Sequence, residues 1–253
     1  MTNPIRIIPR LDIKGPNVVK GIHTEGLRVV GSPKTLATRY YKEGADELIY
    51  MDIVASLYQR NLDFDLLKSV SENIFIPFTV GGGIRSISDI NNALRAGADK
   101  VAINTYAINH PEFLPQAVRQ FGSQCIVLFI EAKNIAPNKW ESYTDGGREK
   151  TGVDVIEWTK KAIDLGVGEI LVTSIDKDGT RSGYKHELMN AITNFSPVPV
   201  IAHGGAGSME SVKEVILKTK CDAVSLSSVL HYEDFSISVL KKYLAKNKIN
   251  VRI

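Results

Sequence analysis

Short apolar runs alternate with longer amphipathic segments along the whole chain of 253 residues. The runs are rich in β-branched side chains and apolar on both faces, which is typical of parallel strands covered by helices on each side. This pattern predicts strands over residues 5–12, 47–53, 76–80, 100–104, 125–131, 169–175, 198–202 and 223–227.

The segments between these runs have helical periodicity and helix-starting residues. Ser32 precedes Pro33, and Ser86 precedes Asp89 by three positions, which are signals for a helix N-terminus. The predicted helices are 33–43, 62–72, 86–96, 111–120, 153–165, 186–194, 208–218 and 235–245. Eight strand–helix pairs predict an α/β fold of the (βα)8, or TIM, barrel type. A doubly wound open sheet is the alternative.

The second half of the chain repeats the first. The stretch "IPFTVGGGIRS" (76–86) corresponds to "VPVIAHGGAGS" (198–208), and "GADELIYMDI" (44–53) corresponds to "GVGEILVTSI" (166–175). An open sheet does not predict two similar halves of this size. We therefore expect one barrel domain over residues 1–253, built from half-barrels of roughly 1–122 and 123–253.

Composition narrows the class of protein. The residues are 43% hydrophobic and 23% charged, and the net charge is +3 without a dense basic run, so a nucleic-acid partner is not expected. No apolar run has the length of a membrane span, and the N-terminus has no signal-peptide pattern, so we expect a cytoplasmic protein without a membrane partner.

Cys125 and Cys221 are expected to be buried reduced thiols. No metal site and no cofactor are expected, because no Cys/His cluster has ligand spacing.

Two glycine clusters follow strands at corresponding places in the two halves. In a barrel these turns lie at the C-terminal strand ends, where active sites are found. Glycines there allow a ligand to approach the backbone, and the following helix N-terminus favours a phosphate. The other interpretation is that the glycines only permit a tight turn. Matched polar residues on the next strand ends favour a ligand with a phosphate at each end, bound by Gly82, Gly83, Asn104, Thr105, Gly204, Gly205, Ser227 and Ser228.

Candidate acid–base groups lie between the two turns. Asp12 ends the first strand and Glu131 ends the fifth, so the two carboxylates should face each other across the barrel. Opposed carboxylates in one pocket can acquire different pKa values and act as acid and base. Asp52 is expected to be a loop cap or an ion-pair partner, whereas Asp176 and Asp178 are stronger functional candidates. Lys20, on the long loop after the first strand, either closes over a phosphate or is solvated.

Charged residues of alternating sign also mark the opposite end of the barrel. They begin four of the strands, and they form either a structural plug of ion pairs or a gate for a small polar molecule. These residues are Arg6, Glu47, Lys100 and Glu169.

Taken together, these motifs resemble one family over nearly the whole chain. The chain is similar to the cyclase subunit of imidazole glycerol phosphate synthase, the HisF family. The stretches that carry the resemblance are "VVKG", "GADEL", "IPFTVGGGIRS", "RAGADKVAIN", "FGSQCIV", "YTDGGREKTG", "GEILVTSIDKDGT", "PVIAHGGAG" and "INVR".

The resemblance implies a barrel enzyme that works with a glutamine amidotransferase partner. The partner releases ammonia, which passes through the barrel core. The barrel joins it to a bisphosphorylated formimino-ribulotide, giving imidazole glycerol phosphate and an aminoimidazole carboxamide ribotide. By this likeness Asp12 and Glu131 are catalytic, and Lys20 belongs to the active-site loop. The resemblance also makes the charged residues at the strand starts an ammonia gate. Gly83, Asn104 and Thr105 would hold one phosphate, and Thr173, Asp178, Gly179, Gly205 and Ser228 the other end of the substrate.

The isomerase of the preceding pathway step is a sister family with the same half-barrel repeat. Its sixth strand resembles T-D-I-S-R-D-G, whereas this chain has "TSIDKDG" (173–179), with Ser174 second and Asp176 fourth, as in the cyclase. The charged residues at the strand starts also favour ammonia chemistry.

Three residues at the expected catalytic mouth depart from the family pattern. The family usually has cysteine at Arg10, aspartate at Glu131 and serine at His203. One explanation is a cyclase with tolerated substitutions. A second is a paralogue that uses ammonia to form an acetamidino group on a nucleotide sugar for surface polysaccharide. A third is a non-catalytic scaffold that activates a glutaminase, which the intact Asp12 and both glycine turns argue against.

Overall fold

Eight parallel strands close into a barrel in the computed structural model, which describes residues 3–253. Met1 and Thr2, the first residues of the expected domain, lie outside the described residues. The barrel strands are β1 (Arg6–Lys14), β4 (Leu48–Asp52), β5 (Phe78–Gly81), β6 (Lys100–Ile103), β7 (Ile126–Ala136), β10 (Glu169–Ser174), β11 (Val200–His203) and β12 (Ala223–Leu226).

Hydrogen bonds join β1 to β12 and β7 to β10, and these two pairings close the sheet into a barrel. Arg6 pairs with Ala223 where β1 meets β12, and Glu131 pairs with Thr173 where β7 meets β10. The predicted (βα)8 barrel is therefore confirmed, and the doubly wound open sheet is wrong. Each predicted strand differs from the observed one only at its ends.

Ten helices connect and cover the strands within residues 3–253, and a single 3₁₀ turn spans Ser123–Cys125. Two of the helices, α4 and α9, are short segments that the sequence did not predict, directly after barrel strands β6 and β12. The helices are α1 (Pro33–Lys42), α2 (Phe64–Ser71), α3 (Ile87–Arg95), α4 (Thr105–Asn109), α5 (Phe113–Phe121), α6 (Val155–Asp164), α7 (His186–Thr193), α8 (Met209–Lys218), α9 (Ser228–His231) and α10 (Ile237–Lys246).

Two antiparallel hairpins extend the barrel at its C-terminal end. The first is β2 (Asn17–Ile22) with β3 (Glu25–Gly31), so the expected long loop after the first strand is wrong. The second is β8 (Lys139–Thr144) with β9 (Glu149–Asp154), and β8 also pairs with the end of β7. The first hairpin follows β1 and the second follows β7, and each of these strands is the first of a predicted half-barrel. The division into half-barrels itself stays a prediction.

Alternation along the strands divides the apolar side chains into two clusters. Ile7 packs with the helices, whereas Ile8 joins an inner cluster that fills the barrel with residues such as Val127, Leu171 and Ile201. On β1 the same alternation directs Arg6, Ile8, Arg10 and Asp12 inward in order from the bottom to the mouth. Charged and polar groups therefore lie on both sides of an apolar layer. No helix within residues 3–253 is long and apolar enough to cross a membrane.

Candidate active site

Both glycine turns have backbone conformations that require glycine. Gly82 and Gly83 have φ of 99° and 69°, and Gly204 and Gly205 have φ of 93° and 107°. A Cβ on Gly82 would lie 2.1 Å from the carbonyl oxygen of Asp52. The turns thus need glycine for their own geometry and for packing against neighbouring loops, whether or not a phosphate binds there.

The first glycine turn borders a cavity of about 370 Å³. Asn104 and Thr105 line it, as expected, and Glu131 reaches its floor. Both polar residues are also fixed within the protein. The Asn104 amide donates to Glu131 Oε2 at 2.9 Å and to the Tyr143 carbonyl at 3.0 Å, and Thr105 Oγ1 accepts from the Asp145 amide at 3.1 Å.

The second glycine turn is packed against its neighbouring loop. The Gly183 amide donates to the Gly205 carbonyl at 2.8 Å, and a Cβ on Gly205 would lie 2.2 Å from the Gly183 carbonyl oxygen. Gly179 approaches the first hairpin equally closely, at the carbonyl of Gly21. Ser228 begins α9 and is buried beside this turn.

A chain of four charged side chains occupies the centre of the mouth. Arg10 Nε donates to Asp12 Oδ1 at 2.7 Å, and Lys20 Nζ donates to Asp12 Oδ2 at 3.0 Å. Lys20 also donates to both oxygens of Asp178, at 2.8 and 2.9 Å. Each of these side chains is at most 6% exposed. The expectation of a solvated Lys20 is therefore wrong, because the β2–β3 hairpin holds its ammonium group between two carboxylates.

The pKa values of the two candidate carboxylates shift in opposite directions. Burial alone would raise the pKa of Asp12, but Arg10 and Lys20 hold it well below its usual range, so the carboxylate is ionised. Burial raises the pKa of Glu131 to about 7, against the opposing effects of Arg10, a main-chain hydrogen bond from Gly147 and the Asn104 amide. Both line a small cavity together with Lys20 and Asp178. The pocket therefore contains an ionised carboxylate beside an acid that titrates near neutrality.

The remaining strand-end carboxylates have structural partners. Asp52 accepts from the Val54 amide and pairs with Arg60 at 2.7 Å, as expected for a loop cap. Asp176 pairs with Lys133 at 3.1 Å and accepts from the Asn134 amide, so it is an ion-pair partner at the base of the second hairpin.

The four charged residues at the opposite end form a closed ring. Arg6 Nη1 lies 2.7 Å from both Glu47 and Glu169, and Lys100 Nζ lies 3.1 Å from Glu47 and 2.8 Å from Glu169. Each carboxylate binds both cations. The structure thus brings together all four residues that the sequence singled out.

Several contributors to the site were not predicted from the sequence. Tyr143, Asp145, Gly146 and Gly147 reach it from the β8–β9 hairpin, whose "DGG" turn (145–147) is a hairpin signal. Thr173 and Ser227, by contrast, were predicted as substrate-binding residues, and they contact Arg10 and His203 within the barrel mouth. Among residues 3–253, no group of three or more His, Cys, Asp or Glu side chains could hold a metal ion. Cys125 and Cys221 are buried and unpaired.

Paired carboxylates at the C-terminal mouth, beside a cavity at a glycine turn, define this chain as a (βα)8-barrel enzyme. A profile of the family described as "Histidine biosynthesis protein" matches residues 6–236. The "Imidazole glycerol phosphate synthase subunit HisF" of Legionella pneumophila is 56% identical over 206 residues, which are 81% of this chain and 97% of that protein. The subunits of the same name from Streptococcus mutans and Prochlorococcus marinus are 46% and 47% identical, and each alignment covers 98% of both chains. The chain therefore belongs to the histidine biosynthesis protein family and, within it, to the HisF subunits.

Proposed function

We propose that this chain is the ammonia-dependent cyclase subunit of imidazole glycerol phosphate synthase in histidine biosynthesis. It forms imidazole glycerol phosphate and an aminoimidazole carboxamide ribotide from a bisphosphorylated formimino-ribulotide. The relatives carry the name of that synthase subunit over nearly their whole length. They give no support to the nucleotide-sugar enzyme or to the non-catalytic scaffold.

The observation that carries the proposal is that Asp12 and Glu131 line one pocket in different surroundings, which hold the pKa of Asp12 low and raise that of Glu131. Addition of ammonia to a carbon centre releases protons, and ionised Glu131 accepts one, while Asp12 stays ionised and stabilises the positive charge that develops on nitrogen. Cleavage of a carbon–nitrogen bond requires a proton on the departing nitrogen, and protonated Glu131 donates it. A group with a pKa of about 7 is present in both forms near neutrality, so it can be reprotonated after each turnover.

Substrate binding is assigned to the two glycine turns. One phosphate lies in the cavity of about 370 Å³ against Gly82, Gly83, Asn104 and Thr105. The other end lies near Gly204, Gly205, Ser227 and Ser228, with Thr173, Asp178 and Gly179 between that turn and Asp12. The helices that begin at these turns favour a bound anion through their N-terminal amides.

Ammonia enters from the opposite end of the barrel. A glutaminase subunit docks there and releases ammonia at the ring of Arg6, Glu47, Lys100 and Glu169. The ring excludes bulk water when its four ion pairs are closed, and the apolar layer above it favours passage of a neutral molecule over a charged one. The complex functions in the cytoplasm, where Cys125 and Cys221 stay reduced.

Ammonium-driven turnover by the isolated chain tests the proposal. Purified protein is mixed with the bisphosphorylated formimino-ribulotide and an excess of ammonium salt, and product formation is followed by absorbance. We expect turnover without any partner subunit, because free ammonia reaches the pocket from solvent. Lack of turnover with ammonium in excess would show that this chain acts on another substrate.

A further inference from the structure

Two of the three residues that depart from the family pattern lie in contact. Arg10 on β1 and His203 at the end of β11 are 3% and 2% exposed. Arg10 Nη1 is 3.4 Å from His203 Nδ1, and Thr173 Oγ1 lies between them, 3.0 Å from each nitrogen. Both substitutions therefore belong to one buried cluster at the mouth.

The hydrogens of Arg10, Thr173, His203 and Ser227 all find acceptors when the hydrogen bonds run in one direction. A guanidinium group only donates, so Thr173 Oγ1 accepts from Arg10 and directs its own hydrogen to His203 Nδ1. The imidazole must then carry its proton on Nε2, which lies 3.3 Å from Ser227 Oγ. Ser227 in turn donates to the main-chain carbonyl of Arg10 at 3.1 Å.

This hydrogen-bonded chain starts at the Arg10 side chain and returns to the Arg10 backbone. It requires a neutral His203, because a protonated imidazole has no acceptor at Nδ1. Burial, followed by the charges of Arg10 and Lys20, keeps the pKa of His203 well below its usual value, with Asp12 opposing and the nearby His231 adding to the decrease. The neutral imidazole is thus an anchor for Arg10.

The other edge of Arg10 faces the catalytic carboxylates. Its Nε donates to Asp12, its Cζ lies 5.0 Å from the centre of the Phe129 ring, and it lines the small cavity that contains Asp12 and Glu131. Phe129 lies two residues before Glu131 on the same face of β7, so the guanidinium packs over the ring that neighbours the second carboxylate.

We propose that Arg10 is a positioning residue, which His203 anchors through Thr173 so that its charge sets the ionisation of both Asp12 and Glu131. Arg10 and His203 act as one unit in place of the cysteine and serine usual in the family. The inference rests on the proposed roles of the two carboxylates. Glu131 faces Arg10 and Asp12 from β1, Asn104 from the end of β6 and Gly147 from the second hairpin, and Arg10 is the only cation among these four.

Titration of Glu131 in Arg10 variants tests the inference without substrate. The carboxyl group is followed by carbon-13 NMR in the whole protein and assigned with Glu131→Gln. Arg10→Met removes the charge and keeps much of the volume, so the midpoint should shift upward. Arg10→Lys keeps a charge, so its midpoint should lie nearer that of the unsubstituted protein. Lys34→Met, which removes an exposed cation on α1, is the matched control and should leave the midpoint unchanged.

An unchanged Glu131 midpoint in Arg10→Met would overturn the inference. So would a His203 imidazole, observed by nitrogen-15 NMR and assigned with His203→Ser, that carries its proton on Nδ1 or titrates near pH 6.5. The expected spectrum is that of a neutral ring protonated on Nε2 throughout the neutral range.

A double-mutant cycle tests whether the two residues form one unit. Arg10→Cys should lower ammonium-driven kcat/KM by roughly 100-fold, as expected for a misplaced catalytic carboxylate. His203→Ser should lower it less, and the double variant should be no worse than Arg10→Cys alone. If the fold-loss of kcat/KM in the double variant equalled the product of the two single losses, the inference would be contradicted. An unsubstituted protein that is inactive would overturn the proposed function, whereas the NMR titrations would still decide the role of Arg10.

Discussion

Each end of the barrel holds two cations and two carboxylates in contact, but their arrangements differ. At the bottom, Arg6, Glu47, Lys100 and Glu169 form a closed ring in which every charge has two partners. At the mouth, Arg10, Asp12, Lys20 and Asp178 form an open chain.

The two arrangements leave different groups available for chemistry. The closed ring satisfies both of its carboxylates, and its cations are 18% and 19% exposed. The open chain is almost inaccessible to solvent, and a fifth titratable group, Glu131, lies beside it without a direct cation partner among the described residues. A closed ring thus suits a barrier, whereas an open chain beside an acid that titrates near neutrality suits proton transfer.

The largest expected effect is that of Asp12→Asn. The substitution removes the negative charge of the pocket and the shared acceptor of Arg10 and Lys20, so ammonium-driven turnover should be abolished. Bisphosphate affinity should stay within several-fold, because the glycine turns are separate from Asp12. Steady-state kinetics and equilibrium binding give the two values, and unchanged turnover would remove Asp12 from the mechanism.

Glu131→Gln should alter the pH dependence of stability. The pKa of Glu131 rises from 4.5 in the unfolded chain to about 7 in the fold, so its stabilising effect is complete below pH 4.5 and is lost as the pH rises through 7. Glutamine is neutral throughout. The free energy of unfolding of the variant, relative to the unsubstituted protein, should therefore increase by ~2.5 kcal/mol between about pH 5 and pH 8.

Denaturant unfolding across this pH range measures that difference. Changes in the histidines cancel in the comparison, because both proteins contain His203 and His231. A difference that does not vary with pH would mean that Glu131 ionises at its ordinary pKa and cannot serve as the acid.

Lys100→Ala opens the ring at the bottom of the barrel. It should lower glutamine-driven turnover more than ammonium-driven turnover. In the complex with a glutaminase, glutamine-driven turnover should fall several-fold, because water and ammonia would exchange through the broken ring. Ammonium-driven turnover should change little, since the mouth is intact. Equal losses with the two nitrogen sources would indicate that the ring is a structural plug.

The smallest effect is expected for an ion pair outside both ends. Lys160 contacts Glu157 on the outer face of α6, where both side chains are more than half exposed. Lys160→Ala should change the free energy of unfolding by no more than about 0.5 kcal/mol, since exposed pairs contribute little. A loss of stability as large as that caused by breaking the ion pairs at the two barrel ends would argue against a special importance of those ends.

Much of the barrel fold, and the end of the barrel at which each charged residue lies, was predictable because both follow from local sequence. Apolar runs and helix caps predict the barrel, and strand ends predict that Asp12 and Glu131 share a mouth and that Arg6 and Lys100 share the bottom. Both hairpins were missed because their short strands have mixed polarity and pair only at the barrel rim.

Side-chain pairing across the mouth was less predictable. Lys20 meets Asp178 only because the first hairpin folds over the mouth, and Arg10 meets His203 only because β1 and β11 flank β12. Such contacts depend on three-dimensional closure, so the departures at Arg10 and His203 could be noted from the sequence but not connected.

The most direct test of the account is the titration of both mouth carboxylates in the unsubstituted protein. Carbon-13 NMR of labelled aspartate and glutamate side chains, assigned with Asp12→Asn and Glu131→Gln, gives the midpoint of each. We predict that Glu131 titrates near pH 7 and that Asp12 is ionised across the whole range in which the protein is folded. Midpoints for both groups near 4, as in unstructured peptides, would contradict the different roles of the two carboxylates.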